Sequence, residues 1–176
     1  LTAGILAYKM GLPIKRFIAA SNQNDAIPRF LVDQNYDPKK TVSTLSNAMD
    51  VSDPSNYPRL LALVNKNFQA LTDILSGFSL DDNETLKSIR TCYQQNGYIT
   101  DPHGAIGFDA LKKLLKPTEQ GVFLETAHYC KFISTVEKAL DQSINHPDFV
   151  SELMNKPKES IALNNNYGDF KSFLMN

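Results

Sequence analysis

Strand-like apolar runs alternate with helical patterns along this chain, and the alternation restricts its fold more than any other feature. Residues 17–20 (FIAA) and 41–46 (TVSTLS) have the length and composition of strands. The run Val122–Leu124, within QGVFLETAH, is the strongest strand pattern in the chain. Strands that are connected through helices pair in parallel and are covered on both sides. We therefore predict an α/β fold with a mainly parallel sheet and helices on both faces.

Helical patterns fill most of the remaining chain. The sequence predicts a first helix between Thr2, as its cap, and Gly11, and a short second helix with Pro28 near its start. A long helix is predicted from Tyr57 through Leu75, ending near Gly77. The other predicted helices are one capped by Asp82 or Asn83 and closed by Gly97, one that follows a short strand and the loop DPHGA and ends before Pro117, and three within 132–140, 146–154 and 168–176.

Charge and cysteine content exclude some classes of partner. The formal net charge is −1 and basic residues never form more than a pair, so we expect no nucleic-acid partner. No apolar run approaches the ~20 residues needed to span a bilayer, so we expect no membrane partner. The two cysteines, Cys92 and Cys130, fit reduced thiols and a cytoplasmic location better than a disulfide framework.

Polar loops follow the predicted strands. In open parallel sheets a ligand binds beyond the carboxyl ends of the strands, and four loops are expected there: SNQND, SNAMDV, DPHGA and ETAH. Their hydroxyls, amides and carboxylates predict a site for a small polar molecule. The candidate ligand-binding residues in the first two loops are Asn22, Asn24, Asp25, Asn47 and Asp50.

Helix capping is the alternative task for some of these polar residues. Asn24 or Asp25 is suited to cap the helix that contains Arg29. Asp53, followed by proline, is typical of a helix start. Asn47 and Asp50 lie upstream of that start, and capping does not account for them.

Histidine and cysteine positions give little support to metal or thiol chemistry. His103, His128 and His146 have no close spacing, so we expect no metal site. His103 is a ready acid or base, but a lone loop histidine is more often structural. Cys130 lies two residues after His128, and so short a segment rarely brings a thiol and its base into productive contact.

Five stretches of the sequence, taken together and in order, resemble the threonine synthase family. They are LTAGILAYKMGLPIKRFIAASNQNDAIPRFL, TLSNAMDVSDPSNYPR, YITDPHGAIGF, TAHYCKF and GDFKSFLMN. The members of this family are pyridoxal-phosphate (PLP) enzymes of fold type II, the tryptophan-synthase-β-like fold. The resemblance implies that residues 1–176 form the C-terminal portion of the catalytic PLP-dependent domain.

The resemblance also implies an activity. The family converts O-phospho-L-homoserine and water to L-threonine and phosphate, a lyase reaction of threonine biosynthesis in which PLP is the electron sink. The family's Schiff-base lysine and its glycine-rich phosphate loop are expected upstream of this chain, so none of its residues is predicted to be catalytic. We therefore expect the N-terminal half of the same enzyme to be a necessary partner, and residues 1–176 alone to be inactive.

Site residues follow from positions that match the family. Thr126, in ETAH, matches the threonine whose hydroxyl bonds the pyridine nitrogen of PLP. Lys131 matches a family lysine to which we assign no role. The residues that match positions around the substrate side of the active site are Asn22, Asn24, Asp25, Asn47 and Asp50.

The chain departs from the family at three of the matched positions. Tyr129 and Cys130 stand where the family more often has proline and alanine, and Gly104 stands where threonine is common. These departures leave the predicted fold unchanged.

Two other interpretations are open. Another fold-type II PLP lyase, such as a threonine dehydratase, would share the fold, although SNAMDV and DPHGAIG favour threonine synthase. A non-catalytic small-molecule-binding or scaffold protein that retains half the fold would share it too, because function belongs to sites and not to folds.

Overall fold

The computed structural model describes residues 1–46 and 50–175. It divides into two compact units, residues 1–144 and residues 145–176. The elements of the first unit are α1 (Thr2–Lys9), β1 (Phe17–Ser21), α2 (Ala26–Asp33), α3 (Tyr57–Leu63), α4 (Phe68–Thr72), β2 (Leu75–Ser79), α5 (Asp82–Asn96), α6 (Pro102–Leu114), a 3₁₀ helix (Tyr129–Phe132) and α7 (Ile133–Leu140). The second unit contains α8 (Asp148–Met154) and α9 (Tyr167–Met175).

The two strands pair in parallel and are covered on both faces. The register runs from Phe17 opposite Leu75 to Ser21 opposite Ser79. On one face Gly77 lies so close to α2 that a Cβ atom there would be 2.6 Å from the Pro28 Cα. The next residue, Phe78, points to the other face, where the Lys113 ammonium of α6 lies 5.4 Å from its ring centre. The predicted α/β class, with a parallel sheet between helices, is confirmed.

Two buried clusters hold the first unit together. One lies around the sheet and α2, and consists of Phe30, Val64, Leu71 and Leu75. The other lies between α5, α6 and α7, and consists of Ile89, Ala105, Val136 and Ala139. The second cluster fixes the position of α6 relative to α5, which matters because the amino end of α6 contacts Glu125.

The long helix predicted from Tyr57 through Leu75 is wrong. The chain leaves the helix after Leu63 because Asn65 and Lys66 adopt positive φ angles of 52° and 58°. Asn67 then starts α4, its side chain accepting the Ala70 N–H at 3.1 Å. Leu75, which the helical period had placed on a helix face, begins β2 and pairs with β1. A periodic apolar pattern does not reveal that a neighbouring strand offers backbone hydrogen bonds.

Two predicted strands are also wrong within the described residues. Residues 41–46 form an irregular loop, and residues 121–126 pair with neither β1 nor β2. Val122 and Leu124, expected to be buried, are 86% and 77% exposed. A strand forms only where a second strand supplies hydrogen-bond partners, so strand propensity alone did not suffice here.

Helix boundaries needed smaller corrections. The loop DPHGA is the first turn of α6, which Asp101 caps by accepting the backbone N–H groups of His103 and Gly104 at 2.7 and 3.4 Å. Asp81, not the predicted Asp82 or Asn83, caps α5 in a reciprocal capping box with Glu84. Thr2 is the first helical residue of α1 and makes no capping hydrogen bond. The short strand predicted before DPHGA is absent from the described residues.

The second unit consists of two short helices and their flanking loops. Asn164 and Asn166 both donate side-chain hydrogen bonds to the Asp169 carboxylate, at 2.7 and 2.8 Å. These contacts order the first turn of α9. Among the helices of the described residues, none is both long and apolar enough to span a bilayer.

Candidate functional site

A compact polar cluster lies at the carboxyl end of β1. It consists of Asn22, Asn24, Thr44, Ser46 and Asp50, and we call it the Asp50 cluster. The Asn22 amide donates toward the Thr44 hydroxyl, the Ser46 hydroxyl and the Asp50 Oδ1 at 3.1, 2.9 and 3.1 Å. Thr44 and Ser46 are buried although both are polar. The cluster therefore joins the loop after β1 to the loop 41–46.

Asp50 accepts four hydrogen bonds inside this cluster. Its Oδ1 receives the Thr44 hydroxyl at 2.7 Å and the amides of Asn22 and Asn24 at 3.1 and 3.2 Å. Its Oδ2 receives the Thr44 backbone N–H at 2.9 Å. A carboxylate that is surrounded by donors from three residues is well stabilised without any cation. This carboxylate therefore holds the loop after β1 and Thr44 together.

Asp82 connects the cluster to the second strand. It follows β2 as the first residue of α5, and its Oδ1 accepts the Leu45 N–H at 3.1 Å. The Leu45 carbonyl in turn accepts the Thr135 hydroxyl of α7 at 3.3 Å. Because parallel strands end at the same edge, Asn22 and Asp82 reach the same loop from neighbouring strands.

The structure brings together three of the five residues predicted for the substrate side. Asn22, Asn24 and Asp50 meet directly, whereas Asp25 points elsewhere and accepts the Arg29 guanidinium at 2.8 Å. Asn47 lies outside the described residues. Asp25 does occupy the N-cap position of α2, but its side chain makes no capping hydrogen bond.

Asp53 does not start a helix either. Its carboxylate accepts the Tyr36 hydroxyl at 2.6 Å, and α3 begins later, after Asn56. The Tyr36 ring stacks on Tyr57 with 3.5 Å between ring centres. The Asp53 carboxylate therefore holds the Tyr36 ring that stacks on Tyr57, and the capping interpretation of Asp53 is wrong.

Residues 121–126 lie along α6, and we call them segment 121–126. Its odd-numbered residues face the helix: a Cβ on Gly121 would be 2.8 Å from Leu111, and the Phe123 Cβ would be 3.1 Å from a Cβ on Gly107. Further along, Glu125 approaches Gly104. The even-numbered residues Val122, Leu124 and Thr126 are exposed. Side chains of this segment thus alternate between covered and exposed as they do in a strand, although no strand of the described residues pairs with it. The reason is that a helix covers one side of the segment.

Glu125 is fixed on the amino end of α6. Its carboxyl accepts the Asp101 N–H at 2.9 Å and the Thr100 hydroxyl at 3.0 and 3.1 Å. Gly104 makes room for it, since a Cβ there would be 2.6 Å from the Glu125 Cδ and would overlap Oε2. Burial raises the pKa of the Glu125 carboxyl, and the neighbouring Asp101 carboxylate raises it further, against the lowering effect of the hydrogen bonds from the Asp101 N–H and Thr100.

Thr126 follows Glu125 and points away from α6. It is exposed, and no hydrogen bond among the described residues uses its hydroxyl. A neutral hydroxyl on an anchored segment is suited to bond an uncharged ring nitrogen, because it can donate a hydrogen bond without imposing a charge. The residues present here therefore fit the role that PLP would require of Thr126.

The segment after Thr126 turns into the 3₁₀ helix. The His128 Nδ1 accepts the Cys130 N–H at 3.2 Å, so His128 caps this turn. The His103 ring meets the buried Phe132 ring edge-on at 5.6 Å. Lys131 is exposed. These positions give the two histidines structural contacts and leave the role of Lys131 unassigned.

Sequence reasoning missed Glu125, Thr44, Ser46 and Asp82. Glu125 was within a quoted motif, and the spacing of Gly104 and Gly107 was a signal that something packs closely against α6. Asp82 was hidden because the strand before it had been interpreted as helix. For Thr44 and Ser46 the only signal was their position in a polar loop, which does not distinguish a buried hydroxyl from an exposed one.

Known proteins that resemble this chain are threonine synthases. The family model described as "Threonine synthase, C-terminal" matches residues 104–174. Threonine synthase of Haemophilus influenzae is 45% identical over 175 residues, which is 99% of this chain, and that of Escherichia coli K12 is 42% identical over 100% of it. The chain spans 41% of the length of each of these curated relatives.

Solved structures agree. The crystal structure of Escherichia coli threonine synthase matches with a TM-score of 0.85 at 41% identity, over 99% of this chain and 40% of that one. A PLP-bound threonine synthase from Brucella melitensis matches with a TM-score of 0.85 at 28% identity, over 98% of this chain and 42% of that one. By sequence and by fold, the chain belongs to the threonine synthase family and corresponds to the C-terminal part of its members.

Proposed function

We propose that this chain is the C-terminal portion of the catalytic PLP-dependent domain of a threonine synthase, which converts O-phospho-L-homoserine and water to L-threonine and phosphate. The observation that carries the proposal is the exposed Thr126 hydroxyl at the end of a segment anchored on α6. The high identity to threonine synthases along the whole chain supports the same activity. Two free cysteines, Cys92 and Cys130, are compatible with a cytoplasmic enzyme.

Thr126 holds the cofactor in this proposal. Its hydroxyl bonds the pyridine nitrogen, and the hydrogen bonds of Glu125 to Asp101 and Thr100 keep the preceding backbone in place. PLP, when bound, supplies an aromatic ring that withdraws electrons from the substrate. A neutral partner at the ring nitrogen limits how strongly the ring is protonated, and this tunes that withdrawal.

The Asp50 cluster shapes the substrate side in this proposal. Asn22, Asn24 and Asp50 donate to or accept from one another and from Thr44, so their first task is to hold the loop 41–46 against the loop after β1. A loop that is fixed before the substrate arrives loses less entropy on binding. Direct contact of Asn22, Asn24, Asp25, Asn47 or Asp50 with O-phospho-L-homoserine stays a prediction.

Thr126→Val tests the cofactor role. Valine has almost the same shape as threonine but cannot bond the ring nitrogen, so we expect weaker PLP binding and a lower turnover with the fold intact. Loss of one hydrogen bond of this kind corresponds to about 1 kcal/mol, or roughly a five- to tenfold weaker affinity. The measurements are PLP absorbance during titration and phosphate release from O-phospho-L-homoserine, made on the protein at its natural length.

Thr126→Ser is the matched control, since it keeps the hydroxyl and removes only a methyl group. A valine variant with normal affinity and turnover would remove Thr126 from the site. A protein that binds PLP but deaminates threonine, without releasing phosphate from O-phospho-L-homoserine, would point to the dehydratase alternative. A protein that binds no PLP would favour the non-catalytic alternative. Residues 1–176 expressed alone are expected to be inactive in the same assay, because the family's Schiff-base lysine matches no position in them.

A further inference from the structure

Glu125 lies where an ionised carboxylate would be costly. It belongs to segment 121–126 and is half-buried against the first turn of α6. Its neighbour there is Asp101, which is fully buried and caps that helix. Two carboxylates this close repel each other, and little water is present to screen them. The amino end of α6 offsets only one negative charge well, and Asp101 Oδ1 already takes the His103 and Gly104 N–H groups.

Asp101 also has an oxygen without a partner. Its Oδ2 is buried and accepts no hydrogen bond from any group in the described residues. A buried carboxylate oxygen that lacks a donor is rare, because it loses water without compensation. The Glu125 carboxyl lies beside it, since its Oε1 is 2.9 Å from the Asp101 backbone nitrogen, and it becomes a donor when it is protonated.

From these contacts we propose that Glu125 is a positioning residue: its carboxyl is held as a neutral acid that donates to Asp101 Oδ2, and it thereby fixes the backbone that presents Thr126. The part that concerns Thr126 rests on the proposed function above; the neutral acid does not. Neutral Glu125 makes a complete set of bonds, accepting from the Asp101 N–H and Thr100 and donating to Asp101. Gly104 is required for this geometry, because any side chain there would occupy the space of the carboxyl.

Two other titratable side chains lie near Glu125, and neither offsets its charge. Cys92 of α5 and Tyr98, which precedes α6, both interact with the Glu125 charge. Burial is the larger cause that raises the pKa of each group, and the Glu125 charge is the next. The described groups that act on the Glu125 charge include no cation. The groups that act most strongly on the Glu125 charge therefore add negative charge or none.

Glu125→Gln and Glu125→Ala, made in the protein at its natural length, separate the neutral acid from a carboxylate. Glutamine keeps one acceptor and one donor, so it reproduces protonated Glu125, whereas alanine removes both. The first measurement is the infrared difference spectrum between wild type and Glu125→Gln, recorded as the pH is raised from 4.5, the ordinary glutamate pKa, until ordinary carboxyl groups are ionised. We expect a protonated-carboxyl band that persists in wild type above the range of ordinary carboxyl groups and is missing from Glu125→Gln.

Thermal unfolding as a function of pH is the second measurement. The Glu125 pKa is raised in the folded state, so its stabilisation is complete below pH 4.5 and is lost as pH rises through the folded pKa. Glu125→Gln has no such loss, so its melting temperature should rise relative to that of wild type as the pH rises. Glu119→Gln, beyond the other end of α6, is the control. Hydrogen bonding to Arg16 lowers the Glu119 pKa to about 2. The Glu119→Gln variant should therefore be less stable than wild type above pH 4.5.

PLP titration tests the positioning half of the proposal. We expect Glu125→Gln to bind PLP with wild-type affinity and spectrum, and Glu125→Ala to bind about tenfold more weakly, which is the size of effect for loss of a charge-assisted hydrogen bond. Absence of the carboxyl band, or a glutamine variant as weak as the alanine variant, would overturn the proposal. If wild type binds no PLP, the proposed function and the positioning half fall together, and the neutral acid is decided by the infrared band alone.

Discussion

Two polar regions of this protein use their side chains in opposite ways. In the Asp50 cluster every functional group of Asn22, Thr44 and Asp50 bonds another group of the protein. In segment 121–126 one side is fully engaged with α6, while the other side, which carries Thr126, is exposed. Both regions were predicted to face a ligand on the basis of similar residue types.

The difference shows what to look for in a binding residue. A side chain whose hydrogen-bond capacity is already used would have to break existing bonds before it could hold a ligand. Thr126 has unused capacity, and its backbone is held by Glu125 on one side and the 3₁₀ helix on the other. An anchored backbone with an unused hydroxyl therefore marks a ligand contact better than polar composition does.

Asp50→Ala should have the largest effect on stability. It removes the acceptor of four hydrogen bonds and leaves the Thr44 N–H without this acceptor, while the buried Thr44 hydroxyl keeps only its contacts with Ser46 and Asn22. We expect a loss of about 3 kcal/mol in the free energy of unfolding, since each unsatisfied buried group costs roughly 1–3 kcal/mol. Asp50→Asn keeps the shape and one acceptor oxygen, and it should lose less. Denaturant unfolding measures both variants.

The comparison breaks if Asp50→Ala unfolds like wild type but binds O-phospho-L-homoserine much more weakly. Asp50 would then face the substrate, and the Asp50 cluster would be a binding site in the same sense as segment 121–126.

Gly104→Ala should have an intermediate effect. Alanine normally stabilises a helix relative to glycine, but here its methyl group would overlap the Glu125 and Thr100 oxygens. We expect a loss of about 1–3 kcal/mol, typical of overpacking. Gly107→Ala is the matched control on the same helix, because its methyl group meets the Phe123 Cβ at 3.1 Å and needs only a small shift. Melting temperatures of the two variants make the comparison.

A double variant sharpens this result. Glu125→Ala removes part of the overlap, so the loss in Gly104→Ala/Glu125→Ala should be smaller than the sum of the two single losses. Additive losses would mean that Gly104 and Glu125 do not share this space.

Asn24→Ala should have the smallest effect of the series. Asn24 holds the loop 41–46 through the Val42 N–H and carbonyl, both at 2.9 Å, but these bonds are exposed to solvent. Water can replace them, so we expect a loss of about 1 kcal/mol or less in the free energy of unfolding. A loss as large as that of Asp50→Ala would show that the rim of the cluster matters as much as its centre.

Local sequence signals predicted the helices far better than the strands. The helices at α1, α2, α5, α7, α8 and α9 were placed correctly to within a few residues, because caps, glycine stops and apolar periodicity are local. β1 was also found. β2 was missed and residues 41–46 and 121–126 were taken for strands, because pairing depends on a partner far away in the chain.

The sequence by itself determined the α/β class, the family and the identity of Thr126 as the cofactor candidate, since these depend on residue order and on matched motifs. Only the tertiary structure decided which polar side chains are hydrogen-bonded within the protein. Asp50 accepts from Asn22, Asn24 and Thr44, and Glu125 accepts from the amino end of α6. The physical reason is that propensity acts between residues that are close in the chain. Hydrogen-bond satisfaction and charge burial are set by groups that folding brings together from positions about 24 residues apart.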